Sequence, residues 1–424
     1  MAGDPVGERV GPVAIIVPAM TSTFPLISAD SHINEAPDLW ETRLPARLRA
    51  RGPRLVRKED GRDVWETEGL AATPLMWATH AAGQQEEGKP YEDHEMTIGR
   101  EQMMRGSFDP QSRLADMDTD GLEAEVLYPG PLAGLGGGGG VASIPDLELR
   151  TASIRAYNDW LAEFCSVAPR RLLGLALIQL EDPEFAAAEL ARAAKLGLRG
   201  GVINGMPDTT GAEPIFSPAY EPVWSAAEAT GMPLSLHIGH SRSLNALVAA
   251  AQRSRAVGSE NQPGNPLSTT GSQTGLAEMF FTMMCLDMAE PVSLLIFSGV
   301  LERHPGLQFV IAESGIGWLP YVIERMDYTF KRHRLWMKTG IKEMPSDYFR
   351  RSFHATFQQD EETGLLARHI SGVETLMWAS DYPHTDSTWP HSRKVVEELF
   401  NGMPDDERAK ITSGNAARLY RLVP

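Results

Sequence analysis

Apolar positions along this chain gather into eight short runs, and most are separated by a segment long enough for a helix. Residues 26–32, 123–129, 172–180, 200–204, 233–237, 308–313, 353–358 and 375–381 each read as a buried strand. Between them the apolar spacing changes to that of a helix. Over 146–167, Ile154, Tyr157, Leu161 and Phe164 fall on one face and Asp146 is placed as the N-cap. An alanine-rich helix over 184–196 is ended by Gly197, and one over 220–229 is stopped by Gly231. Residues 277–303 read as one long apolar helix ending at His304-Pro305-Gly306, and terminal helices fall near 391–420. Eight strands with helical connections predict a (β/α)8 TIM barrel. A doubly wound open sheet is the alternative, but no Gly-x-Gly-x-x-Gly follows the first strand.

The pattern lapses in four places. Residues 1–25 read as an N-terminal tail, leaving 26–424 as a single barrel domain. An insertion covers about 33–115; within it Asp60-Gly61 turns a small hairpin and 83–88 is a polar loop. The glycine run 136–140 lacks the spacing of a phosphate-binding loop and reads as a flexible connection. A second rim loop, about 241–275, is rich in Ser, Asn, Gln and Gly. The insertion and this loop are expected to cover one end of the barrel and set specificity.

Composition narrows the function. At 424 residues the chain buries a large core, and 42% hydrophobic with 22% charged residues is ordinary for a soluble globular protein. A formal net charge of −17 argues against nucleic acid or an anionic membrane surface as the main partner, and a small-molecule substrate is the expected one. Two cysteines, Cys165 and Cys285, form no disulfide framework and suit a reducing, cytoplasmic setting. The apolar run Val13–Val17 is too short to span a membrane and has no basic flank before it.

In a barrel, chemistry sits at the C-terminal ends of the strands. Asp30 and His32 end the first run; two residues apart on a strand, they point to the same side and are placed to share one metal ion. His237 ends the fifth run, Glu313 the sixth and Asp381 the eighth. Taken singly, His237 also reads as a hydrogen-bonded core histidine, Glu313 as an anion at a helix N-terminus and Asp381 as a turn former. Together they need a shared cation or one another, because buried carboxylates are costly alone. Imidazole with carboxylate suits Zn, Mn or Fe, one or two ions per chain. His240 and His384 lie near the same rim, as further metal ligands or as loop and substrate contacts. Trp318, Trp77 and Trp389 are candidates for lining a substrate pocket, and Arg113 and Arg325 for holding a substrate carboxylate. His304 reads as a helix C-terminal cap, and His354, at the start of the seventh strand, as structural.

Asp-Ser-His-Ile-Asn-Glu-Ala-Pro (30–37), Leu-His-Ile-Gly (236–239), Ala-Glu-Ser-Gly-Ile-Gly-Trp-Leu-Pro (312–320) and Ser-Asp-Tyr-Pro-His-Thr-Asp-Ser-Thr-Trp-Pro (380–390) resemble the amidohydrolase superfamily. The likeness runs over about 26–420 and is nearest to the branch of aminocarboxymuconate-semialdehyde and resorcylate-type decarboxylases. It implies Asp30, His32, His237 and Asp381 as metal ligands, with Asp381 also acting as acid/base. That branch carries a histidine after the sixth strand, where this chain has Glu313, a residue that serves as base or ligates a second metal. The carboxylate-rich set also resembles nonheme di-iron centres, one of which is a monooxygenase of platensimycin and platencin biosynthesis on this fold. The expectation is a metal-dependent enzyme that decarboxylates or hydrolyses a bulky carboxylated or acylated substrate, with Asp381 or Glu313 moving the proton. O2-dependent hydroxylation at a di-iron site is the alternative, and a catalytically dead scaffold is the third reading. The apolar 277–297 block and the resemblance both favour a homodimer.

Overall fold

The computed structural model describes residues 25–83, 97–135, 140–239, 279, 282–359 and 361–422. The tail, nearly all of the glycine run, His240 and the 241–275 loop lie outside the described residues.

All eight runs form strands: β1 (Ile27–Ile33), then, after three strands of the insertion, β5 (Ala124–Pro129), β6 (Leu172–Leu177), β7 (Gly200–Ile203), β8 (Leu234–His237), β9 (Phe309–Ala312), β10 (Phe353–Phe357) and β11 (Leu376–Trp378). Each is parallel to the next, in chain order. Asp381 N donates to Asp30 O at 2.9 Å and His32 N to Tyr382 O at 2.6 Å, so the last strand end meets the first and the (β/α)8 barrel closes. The closing bonds fall on the residues that the sequence marks for chemistry.

Strand alternation divides the apolar side chains into two cores. Inside the barrel, Ile27, Ala29, Val126, Tyr128, Leu173, Leu175, Val202, Val310 and Met377 pack together with Ala416 and Tyr420 from the C-terminal segment. Outside, Phe353, Ala355 and Phe357 of β10 pack against the helical layer. That leaves His354 and Thr356, both buried, on the inner face of β10. Each fully buried large apolar side chain contributes roughly 1.5–3 kcal/mol. The walls therefore hold the barrel together, and the rim is free to carry polar groups.

In chain order the helices used below are α1 (Leu39–Arg43), α2 (Pro110–Asp120), α3 (Leu147–Ser166), α4 (Pro183–Leu196), α5 (Glu221–Thr230), α6 (Ala289–Phe297), α7 (Val300–Arg303) and α8 (Leu319–His333). Asp146 caps α3 by accepting from Leu149 N, and Gly197 and Gly231 end α4 and α5 in the left-handed region. The long helix expected over 277–303 is broken. Pro291 fits only in a first turn, so α6 starts at Ala289, and Gly299, at φ 76°, separates it from α7.

The insertion's hairpin is present as β2 (Arg54–Arg57) and β3 (Asp63–Glu66), and β4 (Thr73–Pro74) extends it to three antiparallel strands. The insertion rests on the loop after β11: Thr385 N donates to Ala78 O at 2.8 Å and Ala82 N to Pro383 O at 3.0 Å. No helix among the described residues is long and apolar enough to cross a membrane.

Candidate metal centre

Four strand ends bring the predicted residues together. Asp30 and His32 lie on β1, His237 ends β8, Glu313 follows β9 and Asp381 lies just beyond β11. Asp30, His32, His237 and Asp381 are almost wholly buried, whereas the Glu313 side chain is 18% exposed and faces the opening. Glu313 and Asp381 both hold positive φ, 56° and 63°, a conformation that costs an ordinary residue about 1–3 kcal/mol. Surrounding structure enforces it: Asp381 N is tied to Asp30 O, and Glu313 N donates to Thr356 Oγ1 at 2.8 Å.

Hydrogen-bond accounting settles which ring nitrogens are free. His32 Nδ1 is 3.2 Å from Pro129 O, and His237 Nδ1 is 2.9 Å from Ile238 O. A carbonyl only accepts, so each Nδ1 carries a hydrogen and, in the neutral ring, each Nε2 holds the lone pair. These two Nε2 atoms face each other at 3.3 Å. Glu313 Oε2 is 2.9 Å from His237 Nε2 and 3.6 Å from His32 Nε2; Asp381 Oδ1 and Asp30 Oδ1 are 3.3 and 3.9 Å from His32 Nε2. Acceptors thus face acceptors. Asp30 Oδ1, both Asp381 oxygens and His384 Nδ1 are buried with no hydrogen-bond partner. No lysine or arginine among the described residues pairs with Asp30, Glu313 or Asp381. Only a bound cation, a metal or a proton, reconciles such a set.

The ligand atoms fall into two overlapping groups, each within 4.8 Å: Asp30 with His32 and His237, and His32 with Asp381 and His384. Two N/O groups meeting at one imidazole fit a first-row divalent metal. Titration follows the same crowding. Burial, then the nearby Glu313 charge, holds the Asp381 carboxyl well above its usual range, and burial raises Asp30. For His32, burial works to lower the pKa, but the carboxylates of Asp381, Glu313 and Asp30 beside the ring outweigh it and the net shift is well upward. For Glu313, burial works to raise it, but the His237 charge and hydrogen bonds to both histidines hold it well below. His384 is pushed well down by burial and by His32. A field that grips protons this way also attracts a metal ion, and the two compete.

Several singled-out residues take other places. Arg113 is fully buried beneath the site, with its Nε 2.5 Å from Glu125 Oε2, its Nη1 donating to His32 O at 2.8 Å and its guanidinium 4.5 Å over the Tyr382 ring. It is engaged by protein and does not present itself to a substrate. Arg325 is on the exposed side of α8, stacked on Tyr328. Trp318, at the N-terminus of α8, donates its indole N–H to Ser314 O, and Trp389 donates to Asp116 O. Trp77 lies in a short 3-10 turn, and its side chain is outside the described set. His304 is more than a helix cap: its Nδ1 and Nε2 each lie 2.8 Å from a carboxylate, Glu228 and Glu221 of α5. His354, at the base of β10, pairs with Gln308 Oε1 at 3.2 Å.

Thr356 was not singled out from the sequence. Its Oγ1 donates to Asp30 Oδ2 at 2.9 Å while accepting from Glu313 N, so one hydroxyl orients two rim carboxylates. The signal was available: in Phe-His-Ala-Thr-Phe, period-two alternation turns Thr356 inward. A groove of about 1110 Å³ between α1 and α3, lined by Arg43, Leu48, Leu147 and Glu163, lies away from these residues.

With this geometry in hand, comparison with known proteins is informative. Gamma-resorcylate decarboxylase of Rhizobium sp. (strain MTP-10005) is 29% identical over 321 residues, covering 73% of this chain and 86% of that protein. Among solved structures, an amidohydrolase from Mycobacterium avium subsp. paratuberculosis K-10 aligns with TM-score 0.72 at 19% identity, over 94% of this chain and 99% of the other. A dihydroxybenzoic acid decarboxylase from Polaromonas sp. JS666, solved with manganese and the inhibitor 2-nitroresorcinol, aligns with TM-score 0.59 at 21% identity, over 94% and 97%. The amidohydrolase family model matches residues 29–422, from the first metal-ready strand to the C-terminal segment, and the chain belongs to that family.

Proposed function

We propose that this protein is a metal-dependent decarboxylase of an aromatic carboxylic acid. The observation that carries the reading is the buried rim cluster in which the Nε2 atoms of His32 and His237 converge with the carboxyl groups of Asp30, Glu313 and Asp381. Decarboxylase relatives support the choice of reaction, and the manganese held by the Polaromonas enzyme supports the choice of metal. Neither hydrolysis nor O2-dependent hydroxylation has comparable support.

Asp30, His32 and His237 would hold the ion, with Glu313 beside His237 and Asp381 beside His32. When bound, the ion supplies a Lewis-acid seat for substrate oxygens. Burial and the neighbouring Glu313 charge hold the Asp381 carboxyl well above its usual range, which suits it to carry the proton that the reaction needs. It delivers that proton to the ring carbon bearing the carboxylate; the bond to the carboxylate then breaks, its electron pair returns to the ring, and CO2 leaves. Asp381 recovers its proton from water. Glu313 remains ionised and keeps His237 oriented.

The test is to load the protein with Mn(II) and offer a panel of hydroxylated benzoates, 2,6-dihydroxybenzoate among them, while following CO2 release. Release that disappears on chelation and returns with Mn(II) supports the proposal. A fully loaded protein that releases CO2 from none of them overturns it.

A further inference from the structure

Beneath the rim lies a buried ion pair that the proposed reaction does not use. Arg113, on α2, and Glu125, on β5, are 0% and 2% exposed at the side chain. Arg113 spreads its donors over three acceptors: Glu125 Oε2 at 2.5 Å, His32 O at 2.8 Å and Gly106 O at 3.4 Å. Its Nη2 has no acceptor, and the guanidinium plane lies over Tyr382, the residue after Asp381. Glu125 Oε1 accepts from Ser31 Oγ at 3.3 Å, and Ser31 stands between Asp30 and His32. Ser31 Oγ in turn lies 2.8 Å from Ser28 Oγ and 3.2 Å from Ser380 Oγ, and Ser380 precedes Asp381. Ser28 Oγ accepts from Ser380 N at 2.8 Å. From the same helix as Arg113, Asp116 accepts the Tyr382 hydroxyl hydrogen at 2.5 Å.

The network grips the backbone of His32 and the neighbours of Asp30, His32 and Asp381 without bonding to those three side chains. The place is also where the barrel needs holding. Pairing of β1 with β5 shifts register between Ser28 and Ser31, and β11 meets β1 through two backbone bonds at the rim. A buried pair is a poor source of stability, because desolvation offsets most of its attraction. A fork of fixed geometry is a good source of position.

We infer that the Arg113–Glu125 pair is a positioning device that sets the seam between β1 and β11, and through it the spacing of the metal-holding side chains. Both residues are positioning residues and act through His32, Asp30 and Asp381. The inference rests on the metal-centre reading above.

The test compares Mn(II) affinity, the Mn(II) electron paramagnetic resonance spectrum and thermal stability across wild type, Arg113→Lys, Ser31→Ala and the double variant Arg113→Met/Glu125→Leu. Lysine keeps the charge but cannot reach Glu125 and His32 O together, so Arg113→Lys is expected to bind Mn(II) about 10–100-fold more weakly with a broadened spectrum. The double variant fills the space with apolar groups, so it is expected to melt near the wild type while still binding Mn(II) weakly. A merely structural role predicts the reverse: affinity that follows stability and recovers in the double variant. That result overturns the inference, as does wild-type affinity and spectrum in Arg113→Lys. Should the double variant fail to fold, Ser31→Ala and Arg113→Lys decide the matter on the same readouts. Wild-type protein that binds no Mn(II) would overturn the metal-centre reading itself, and this inference with it.

Discussion

Two groups of histidines and carboxylates among the described residues differ in how their polar atoms are met. At the outer surface His304 lies between Glu221 and Glu228, each ring nitrogen 2.8 Å from a carboxylate oxygen. Arg303 adds two donors to Glu221, and Gly306 N donates to Glu228. Each carboxylate oxygen there faces a ring, guanidinium or backbone nitrogen. At the rim the same residue types meet lone pair to lone pair, and buried oxygens of Asp30 and Asp381 have no partner. Residue type therefore does not distinguish a structural ion pair from a metal site. The balance of donors and acceptors does.

The largest effect expected from this contrast is on Asp381. Replacing it by Asn should lower CO2 release by about 10³-fold, because the proton that the reaction needs is removed, while the melting temperature holds or rises. Unchanged turnover would move the acid elsewhere. Next comes Thr356→Val, which keeps the shape but removes the hydroxyl between Asp30 and Glu313; Mn(II) affinity should fall about 10–100-fold. Equal affinity in a calorimetric titration would mean that the threonine only packs.

The two groups should also answer pH in opposite directions. Asp30, Asp381 and His32 have folded-state pKa values above their ordinary ones. Their contribution is complete below the ordinary values, 3.8 for the acids and 6.5 for His32, and is lost as pH rises through the folded values. Metal-free protein should therefore lose these three groups' contribution as pH rises above 6.5, while His384, with a lowered pKa, works the other way, and Mn(II) at a hundred times its Kd should return about 2.7 kcal/mol. Denaturant melts of wild type and Asp381→Asn, with chelator and with Mn(II), check this; the same pH dependence in both proteins contradicts it. The smallest effect belongs to His304→Gln. Glu221 is partly exposed, so the loss should be about 1 kcal/mol or less, with Mn(II) affinity and turnover untouched. For Glu221, burial works to raise the pKa, but Arg303 and His304 hold it below its ordinary 4.5. This stability is therefore present above pH 4.5 and lost as pH falls through the depressed value. A change in turnover in this variant would tie the outer cluster to the site.

The limits of legibility can be seen residue by residue. All eight barrel strands were readable because each is a short apolar run bounded by turn residues. Asp30, His32, His237, Glu313 and Asp381 were readable because each stands where such a run ends. The α6–α7 break was missed because overall apolarity hid Pro291 and Gly299, the two residues that set its limits. Arg113 was picked for its charge, and only the fold shows that Glu125, twelve positions on, absorbs it. His304 was read from its helix end, while its true partners lie on α5, more than seventy positions earlier.

Sequence by itself determined the barrel and the identity of the groups around its mouth, because strand period, helix caps and glycine stops are local and act over a few residues. Tertiary structure alone decided which nitrogen of each histidine is free, which oxygens have no partner and which arginine serves the scaffold. Those outcomes depend on atoms a few ångströms apart in space and up to 352 positions apart in the chain, as with Ser380 N and Ser28 Oγ. Burial fixes their consequences: away from water, a lone pair without a hydrogen must find a cation, and no local pattern of residues records whether it has one.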